Sequence, residues 1–449
     1  MTPLTARLRC LGGCPNHFPL ASPIYRCPSC HGLLDVEHDL DALAKRSASE
    51  WKRLFDDRRA SSNSLDASGV WSKREWVAPE LAASAVVTLG EGATPLVHAE
   101  RYGNSVGHAP IWIKMCGNSH TGSFKDLGMT VLVSVARASM NADANVRVLA
   151  CASTGDTSAA LAAYAAAAGL PVVVLLPKGK TSRAQLIQPL ASGARVLALD
   201  TDFDGCMAIV DQLAQESVIY LANSMNALRL EGQKTVAIEI AQQLGWTVPD
   251  WVFLPSGNLG NAYALYLGFR MMKELGITDR MPRLCSAQAA NANPLYLAWN
   301  DGRRAIVPQR ARATQASAIQ IGSPVSEARA FIALEAMDGL VEQATEDELC
   351  DAAARADRCG MFVCPHTAVA LVAFEKLVKR GLVRKNERAV IVSTASALKF
   401  TEFKVQYHER AISGVGSTHA NSPIDAPANV DRVRALIDEV RRAREITRA

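Results

Sequence analysis

The chain has 449 residues, 49% of them hydrophobic, and its 48 Lys and Arg against 44 Asp and Glu leave a formal charge of +4. That length excludes one small domain and, at roughly 150 residues per domain, suggests two or three units. So weak and dispersed a charge argues against nucleic acid or an anionic membrane as partner, which leaves a small-molecule substrate as the default.

The amino-terminal stretch MTPLTARLRCLGGC lacks the apolar core of a secretory signal, so a cytoplasmic location is expected. It opens a group of four cysteines, Cys10, Cys14, Cys27 and Cys30, spaced C-x3-C and C-x2-C with twelve residues between the pairs. Thiolates so spaced close a tetrahedral zinc site on two knuckles, and residues 1–38 therefore read as a zinc-ribbon-like head. Reduced, metal-free cysteines are the alternative. The other seven (Cys116, Cys151, Cys206, Cys285, Cys350, Cys359, Cys364) have no framework spacing, which suits a reducing cytosol.

Residues 39–110 read as a segment packed on the larger domain. Next, HTGSFKDLG (His120 to Gly128) puts Lys125 where a turn of small residues enters a helix. A buried lysine of lowered pKa forms an imine with an aldehyde and then shuttles protons. The plain alternative is a surface lysine paired with Asp126.

From Val146 to Asn223, β-branched runs alternate with helix-period segments, as in consecutive βαβ units. Strands are expected at Val146 to Cys151, Val172 to Leu176, Ala194 to Asp200 and Val218 to Asn223, with a helix stopped at Gly169. The apolar run from Ala159 to Leu176 approaches membrane-span length, but Gly169 and Pro171 split it. ASTGDTSAA (Ala152 to Ala160) follows a strand and opens a helix, so its hydroxyls and N–H groups suit a substrate carboxylate; ordinary capping by Ser153, Thr154 or Asp156 is the alternative.

A second α/β region follows. LEGQKTVAIEIAQQLG reads as a helix, Trp251 to Pro255 as a buried strand, NAYALYLGFRMMKELG as another helix, and Ala389 to Thr394 as a late central strand. PSGNLGN (Pro255 to Asn261) presents several N–H donors at a helix start and suits a phosphate that is bound rather than hydrolysed, or else is a tight turn. Residues 411–449 read as a linker and a basic amphipathic helix around Val430 to Arg444. One lysine and two anion cradles at strand ends describe a site for an aldehyde-phosphate cofactor and an amino-acid substrate.

HTGSFKDLGMTVLVS, ASTGDTSAALAAYAAAAGLP, TDFDGCM, NSMNALRLEGQKT, PSGNLGNAYALY, AQAANANPLYL, ASAIQIGSPVS, GMFVCPHTAVAL and IVSTASALKF closely resemble the threonine synthases, most of all their plant-type branch. The likeness runs from about Gly32 to about His408. It implies pyridoxal-phosphate fold type II, the architecture of the tryptophan synthase β-subunit group: two open parallel-sheet α/β domains, here 111–225 and 226–410, behind the zinc-ribbon-like extension.

The resemblance assigns roles residue by residue. Lys125 matches the lysine that bonds the pyridoxal 5'-phosphate aldehyde. Gly257, Asn258, Leu259, Gly260 and Asn261 match the loop on its phosphate, Thr394 the hydroxyl at its ring nitrogen, and Asp156 the residue beside its phenolic oxygen. Ser153, Thr154 and Thr157 would hold substrate carboxylate, and Asn223, Ser224 and Arg229 substrate phosphate. Where plant relatives resemble TAHGLKF, Ser396 and Ala397 replace His-Gly. The implied activity is O-phospho-L-homoserine plus water to L-threonine and phosphate. Plant relatives lack the Cys27–Cys30 pair, so the structural zinc is expected from the cysteine spacing alone, the cytoplasmic location from the amino terminus and the scattered cysteines, and a homodimer is expected with them. The alternatives are a β-replacing enzyme on a phosphorylated amino acid, such as a cysteate-synthase-like one, and a non-catalytic zinc-ribbon scaffold.

Overall fold

The structure is a computed structural model and describes residues 3–108, 110–142, 148–179 and 183–446. Its first sheet is the head: β1 (Ala6–Cys10), β2 (His17–Pro19) and β3 (Leu34–His38), antiparallel in the order β2-β1-β3. Ala6, Leu8 and Cys10 alternate inward, the period a half-buried strand requires.

The strands that follow are β4 (Leu96–His98), β5 (Ile111–Met115), β6 (Leu149–Ala152), β7 (Val172–Pro177), β8 (Arg195–Leu199), β9 (Tyr220–Leu221), β10 (Trp251–Pro255), β11 (Arg283–Ala289), β12 (Leu340–Ala344) and β13 (Ala389–Ser393). They form a four-stranded sheet, β8-β7-β6-β9, and a six-stranded one, β12-β11-β10-β13-β5-β4. All neighbours are parallel except β4 and β5, so the two parallel α/β sheets expected are present with one antiparallel edge. β5 opens the stretch read as the smaller domain, yet it pairs with β13 in the larger sheet. Every residue of β10 and β13 is buried, as helices on both faces of a parallel sheet dictate.

The helix Asp156–Ala168 ends at Gly169, whose φ of +69° turns its N–H back onto the carbonyls of Ala165 and Ala166. This stop splits the long apolar run, and no helix among the described residues is long and apolar enough to cross a membrane. Val146 and Arg147, read as the start of β6, lie outside the described residues.

β9 is shorter than the six residues expected, for a local reason. Asn223 replaces backbone pairing with its own amide: Oδ1 accepts from the N–H of Ala152 at 3.0 Å, and Nδ2 donates to the Ala152 carbonyl at 2.9 Å. The ladder thus ends in a side chain.

The next helical stretch starts earlier than expected, at Leu228, and runs as Leu228–Gln233 and Thr235–Gln243 around Lys234. It crosses the helix Lys125–Ala142 at two glycines. A Cβ on Gly128 would lie 2.8 Å from the Arg229 carbonyl oxygen, and one on Gly232 would lie 1.7 Å from that of Leu127. Only glycine permits this approach, which brings Arg229 beside Lys125.

The head docks on this stretch and on the helices Gly260–Glu274 and Glu327–Ala336 through buried polar groups. His38 meets Glu231 at 2.6 Å and Lys234 meets Glu231 at 2.5 Å. Tyr263 donates to Asp35 at 2.6 Å, and the fully buried Arg329 donates to the Leu34 carbonyl. Burial holds the His38 imidazole below its ordinary pKa. At the other edge, the N–H of Leu221 donates to the Tyr25 hydroxyl at 2.9 Å. As read from the sequence, the segment 411–428 has no helix or strand and leads to the helix Val430–Ile446.

Candidate active site

Lys125 begins its helix at the end of a tightly tied loop. The carboxylate of Asp126 accepts the N–H of Thr121 at 2.7 Å and also its hydroxyl, closing a ring around the turn. Burial raises the Asp126 pKa, with the Thr121 donors opposing that rise. Asp126 is therefore buried inside the loop and is no surface partner for Lys125. Phe124 donates its N–H to the Thr394 carbonyl at 2.8 Å, and Ser396 donates its own to the Gly122 carbonyl at 2.8 Å, so the loop is stitched to the chain leaving β13.

The Lys125 ammonium rests 4.1 Å from the centre of the Phe124 ring. Burial pushes its pKa down to about 7, helped by the charge of Arg229 and opposed by that of Asp156. Much of it is a free amine at neutral pH, the nucleophilic form.

Arg229 is buried and its own pKa is drawn down to about 10 by that burial, which leaves it charged. One terminal nitrogen donates to the Ala222 carbonyl at 3.2 Å and the other reaches the Thr157 hydroxyl at 3.5 Å, while Nε has no partner among the described residues. A buried guanidinium with an unmatched N–H is suited to an anion. Ser224 is partly buried next to it in the chain order of the motif. Asn223 lies beside this group, but its amide is committed to Ala152 and works as a strap on β6.

Ser153, Thr154, Asp156 and Thr157 are all partly buried at the end of β6, where the helix Asp156–Ala168 starts with Gly155 as its cap. The Ser153 hydroxyl accepts the N–H of Gly155 at 3.3 Å. Asp156 carries an ion pair that sequence reasoning missed: its Oδ1 lies 2.8 Å from the ammonium of Lys399.

After β10, the loop Gly257–Asn261 turns through Leu259 at φ +67° into the helix Gly260–Glu274. Among the described residues, the N–H groups of Gly257, Asn258, Leu259, Gly260 and Asn261 have no partner. The Asn261 amide instead fixes the loop by donating to the Pro255 carbonyl at 2.7 Å. A Cβ on Gly257 would come within 2.8 Å of Ile319 Cα, so the loop lies flat against that segment. Five consecutive donors at a positive helix end form an anion cradle. Thr394 follows β13 and is buried, and its hydroxyl makes no hydrogen bond among the described residues. An amine, a phosphate-sized cradle and an unpartnered hydroxyl together fit a phosphorylated aldehyde.

In the head, the Sγ atoms of Cys10, Cys14, Cys27 and Cys30 all lie within 4.8 Å of one another, with Cys10 and Cys30 at 3.4 Å. Sulfurs around one tetrahedral zinc would stand about 3.8 Å apart. Burial alone would raise the Cys27 thiol, but the N–H groups of Cys30 and Ser29 bring it down to about 6. All eleven cysteines are free.

Two further features escaped the sequence reading: the Thr121–Asp126 ring and the Gly128–Gly232 crossing. The signals were present, a Thr five residues before an Asp and a glycine inside each helix, but what they touch is set by the tertiary fold.

Comparison with known proteins agrees with this geometry. A family model described as pyridoxal-phosphate dependent enzyme matches residues 87–395. Threonine synthase 2, chloroplastic, of Arabidopsis thaliana is 53% identical over 94% of this chain and 82% of its own length. The threonine synthase of Methanosarcina acetivorans is 37% identical over 96% of this chain and 98% of its own. The crystal structure of threonine synthase from Escherichia coli superposes with a TM-score of 0.68 at 22% identity, covering 96% and 99% of the two chains, which establishes the shared fold. With relatives this similar along nearly their whole length, the chain belongs to the pyridoxal-phosphate-dependent enzymes and, within them, to the threonine synthases.

Proposed function

We propose that the chain converts O-phospho-L-homoserine and water into L-threonine and phosphate. The observation that carries this reading is the pairing of Lys125 with Arg229, a lysine free to react at neutral pH beside a buried guanidinium with an unmatched N–H. A phosphate on the substrate explains why a buried cation with an unmatched N–H is kept there.

Lys125 would bond the cofactor's aldehyde, the Gly257–Asn261 cradle would take its phosphate, Thr394 would face its ring nitrogen and Asp156 its phenolic oxygen. Bound there, the cofactor supplies a sink for the electrons left at substrate carbon when a proton departs. Ser153, Thr154 and Thr157, at the head of their helix, would hold the substrate carboxylate. Arg229, with Ser224 and with Asn223 holding β6 in place, would hold the substrate phosphate and steady it as the γ-bond breaks. Lys125 would take the α-proton and then a β-proton as the γ-phosphate leaves, and return protons at the γ- and α-carbons, with water supplying the β-hydroxyl.

Four mutually close thiols support a structural zinc at Cys10, Cys14, Cys27 and Cys30. Metal analysis should find about one zinc per chain, lost when Cys27 and Cys30 become Ser. The free cysteines support a reducing, cytoplasmic setting. Exposed Ile187 and Leu190 support burial against a second copy in a homodimer.

The test of function supplies pyridoxal-phosphate-loaded protein with O-phospho-L-homoserine or O-phospho-L-serine and measures phosphate and amino-acid product. Threonine should form from the first, and Lys125→Ala should abolish both turnover and the visible cofactor band without lowering the melting temperature appreciably. Turnover of O-phosphoserine alone would overturn the reading in favour of a β-replacing enzyme.

A further inference from the structure

Lys399 stands in the motif ASALKF, at a position given no role above. Its placement is elaborate. Ser396 caps the short turn Ala397–Phe400, its hydroxyl accepting the N–H of Leu398 at 3.3 Å, and its own N–H holds Gly122. From that turn the Lys399 side chain crosses to the other sheet's side of the site. Its ammonium reaches Oδ1 of Asp156 at 2.8 Å, the Thr121 carbonyl at 3.0 Å and Oε1 of Gln188 at 2.8 Å. Gly122, at φ +79°, lies against the stem, where a Cβ would come to 3.0 Å from Lys399 Cδ. The Lys399 side chain is 20% exposed and that of Asp156 10%, so solvent screens this pair little.

Two neutral acceptors would suffice to tie the turn to the loop. The carboxylate adds something else, because Asp156 is near enough to Lys125 for their charges to interact. Left uncompensated, it would favour a proton on the Lys125 nitrogen and repel any anionic oxygen on a ring bonded there. We propose that Lys399 is a positioning residue that holds the Asp156 carboxylate and balances its charge, and so sets the proton affinity of the Lys125 nitrogen, free or bonded to cofactor. The inference rests on the reading of Lys125 and Asp156 as cofactor-facing. The charged groups around Asp156 are Lys399 on its turn, Lys125 at its helix start and Arg229 on the crossing helix; the helix Arg183–Ala191 contributes the neutral amide of Gln188, and exposed His120 lies on the lysine loop.

The test loads the full-length protein with pyridoxal phosphate and follows the cofactor's visible absorption between about pH 5 and about pH 10. In Lys399→Met, loss of the cation leaves the carboxylate to act alone, and the midpoint should rise by about one pH unit. Lys399→Gln, which retains a hydrogen-bonding end, should rise likewise. Asp156→Asn should move it down, and the double variant Lys399→Met, Asp156→Asn should return to within about 0.3 unit of the parent. An unmoved midpoint in both Lys399 variants, or the same shift in the double variant as in Lys399→Met, overturns the inference while the cofactor assignment stands. Absence of any visible band in the parent protein overturns the cofactor assignment and the inference with it.

Discussion

The two large sheets are built to different degrees of burial. In the six-stranded sheet, β10 and β13 have no exposed residue, whereas in the four-stranded sheet β8 is exposed along much of its length and β9 contributes only two residues. The chemistry divides along the same line. From the heavier sheet hangs a cradle of backbone N–H groups, Gly257 to Asn261, indifferent to side-chain identity; from the lighter one come the hydroxyls of Ser153, Thr154 and Thr157. A group that stays for every turnover is suited to rigid backbone, and one that arrives and leaves is suited to side chains on a lighter support.

Arg229→Ala is the strongest way to sharpen this division. Losing a guanidinium contact to a desolvated anion should cost about 2–5 kcal/mol in kcat/KM for O-phosphohomoserine, roughly thirty- to several-thousandfold, with cofactor affinity unchanged. Equal losses in both would mean that the two halves do not divide the work. Gly257→Ala probes the heavier side. Its Cβ would crowd Ile319 and overpack the loop by about 1–3 kcal/mol, so cofactor affinity in a fluorescence titration should fall roughly five- to a hundred-and-fifty-fold. Intact affinity would show that the loop yields and that the sheet's rigidity does not extend to it.

The smallest effect concerns Lys125, where the halves meet. In the unfolded chain its amine keeps a proton up to its ordinary value of 10.5, but in the folded apoprotein it releases it near 7. Its burial therefore lowers stability fully below about pH 7, and that cost fades as pH rises toward 10.5. Apoprotein carrying Lys125→Met should melt higher than the parent by a margin that is largest below about pH 7 and narrows as the solution becomes alkaline. A margin that does not change with pH would contradict the lowered pKa.

Sequence made the periodic parts of this molecule legible: the strands after Val146, the Gly169 stop and the cysteine spacing all follow from local chemistry. The anion loops were legible as types of turn. What stayed hidden were contacts between segments distant in sequence. Asn223 carries a phosphate-binding role by resemblance, yet its amide is engaged by Ala152, 71 residues earlier. Lys399 lay in a quoted motif, but its partner Asp156 opens the helix that follows a strand of the other sheet, and no periodicity joins them. The antiparallel β4 and the misplaced β5 boundary have the same origin, since pairing partners are chosen by the assembled sheet.

The docking of the head has a consequence for how such a chain can evolve or be trimmed. By its place in the chain the head looks like an accessory module, removable at about residue 38. It is instead the counter-surface for an interior that contains Tyr263, Arg329, Glu231 and Lys234. Deleting it would uncover the Arg329 guanidinium, the Tyr263 phenol and the Glu231–Lys234 ion pair, on three separate stretches of helix, and remove the head's partners from each. A gene encoding only the two α/β sheets would have to replace those residues with apolar ones first, so the appendage and the enzyme are locked into a shared inheritance.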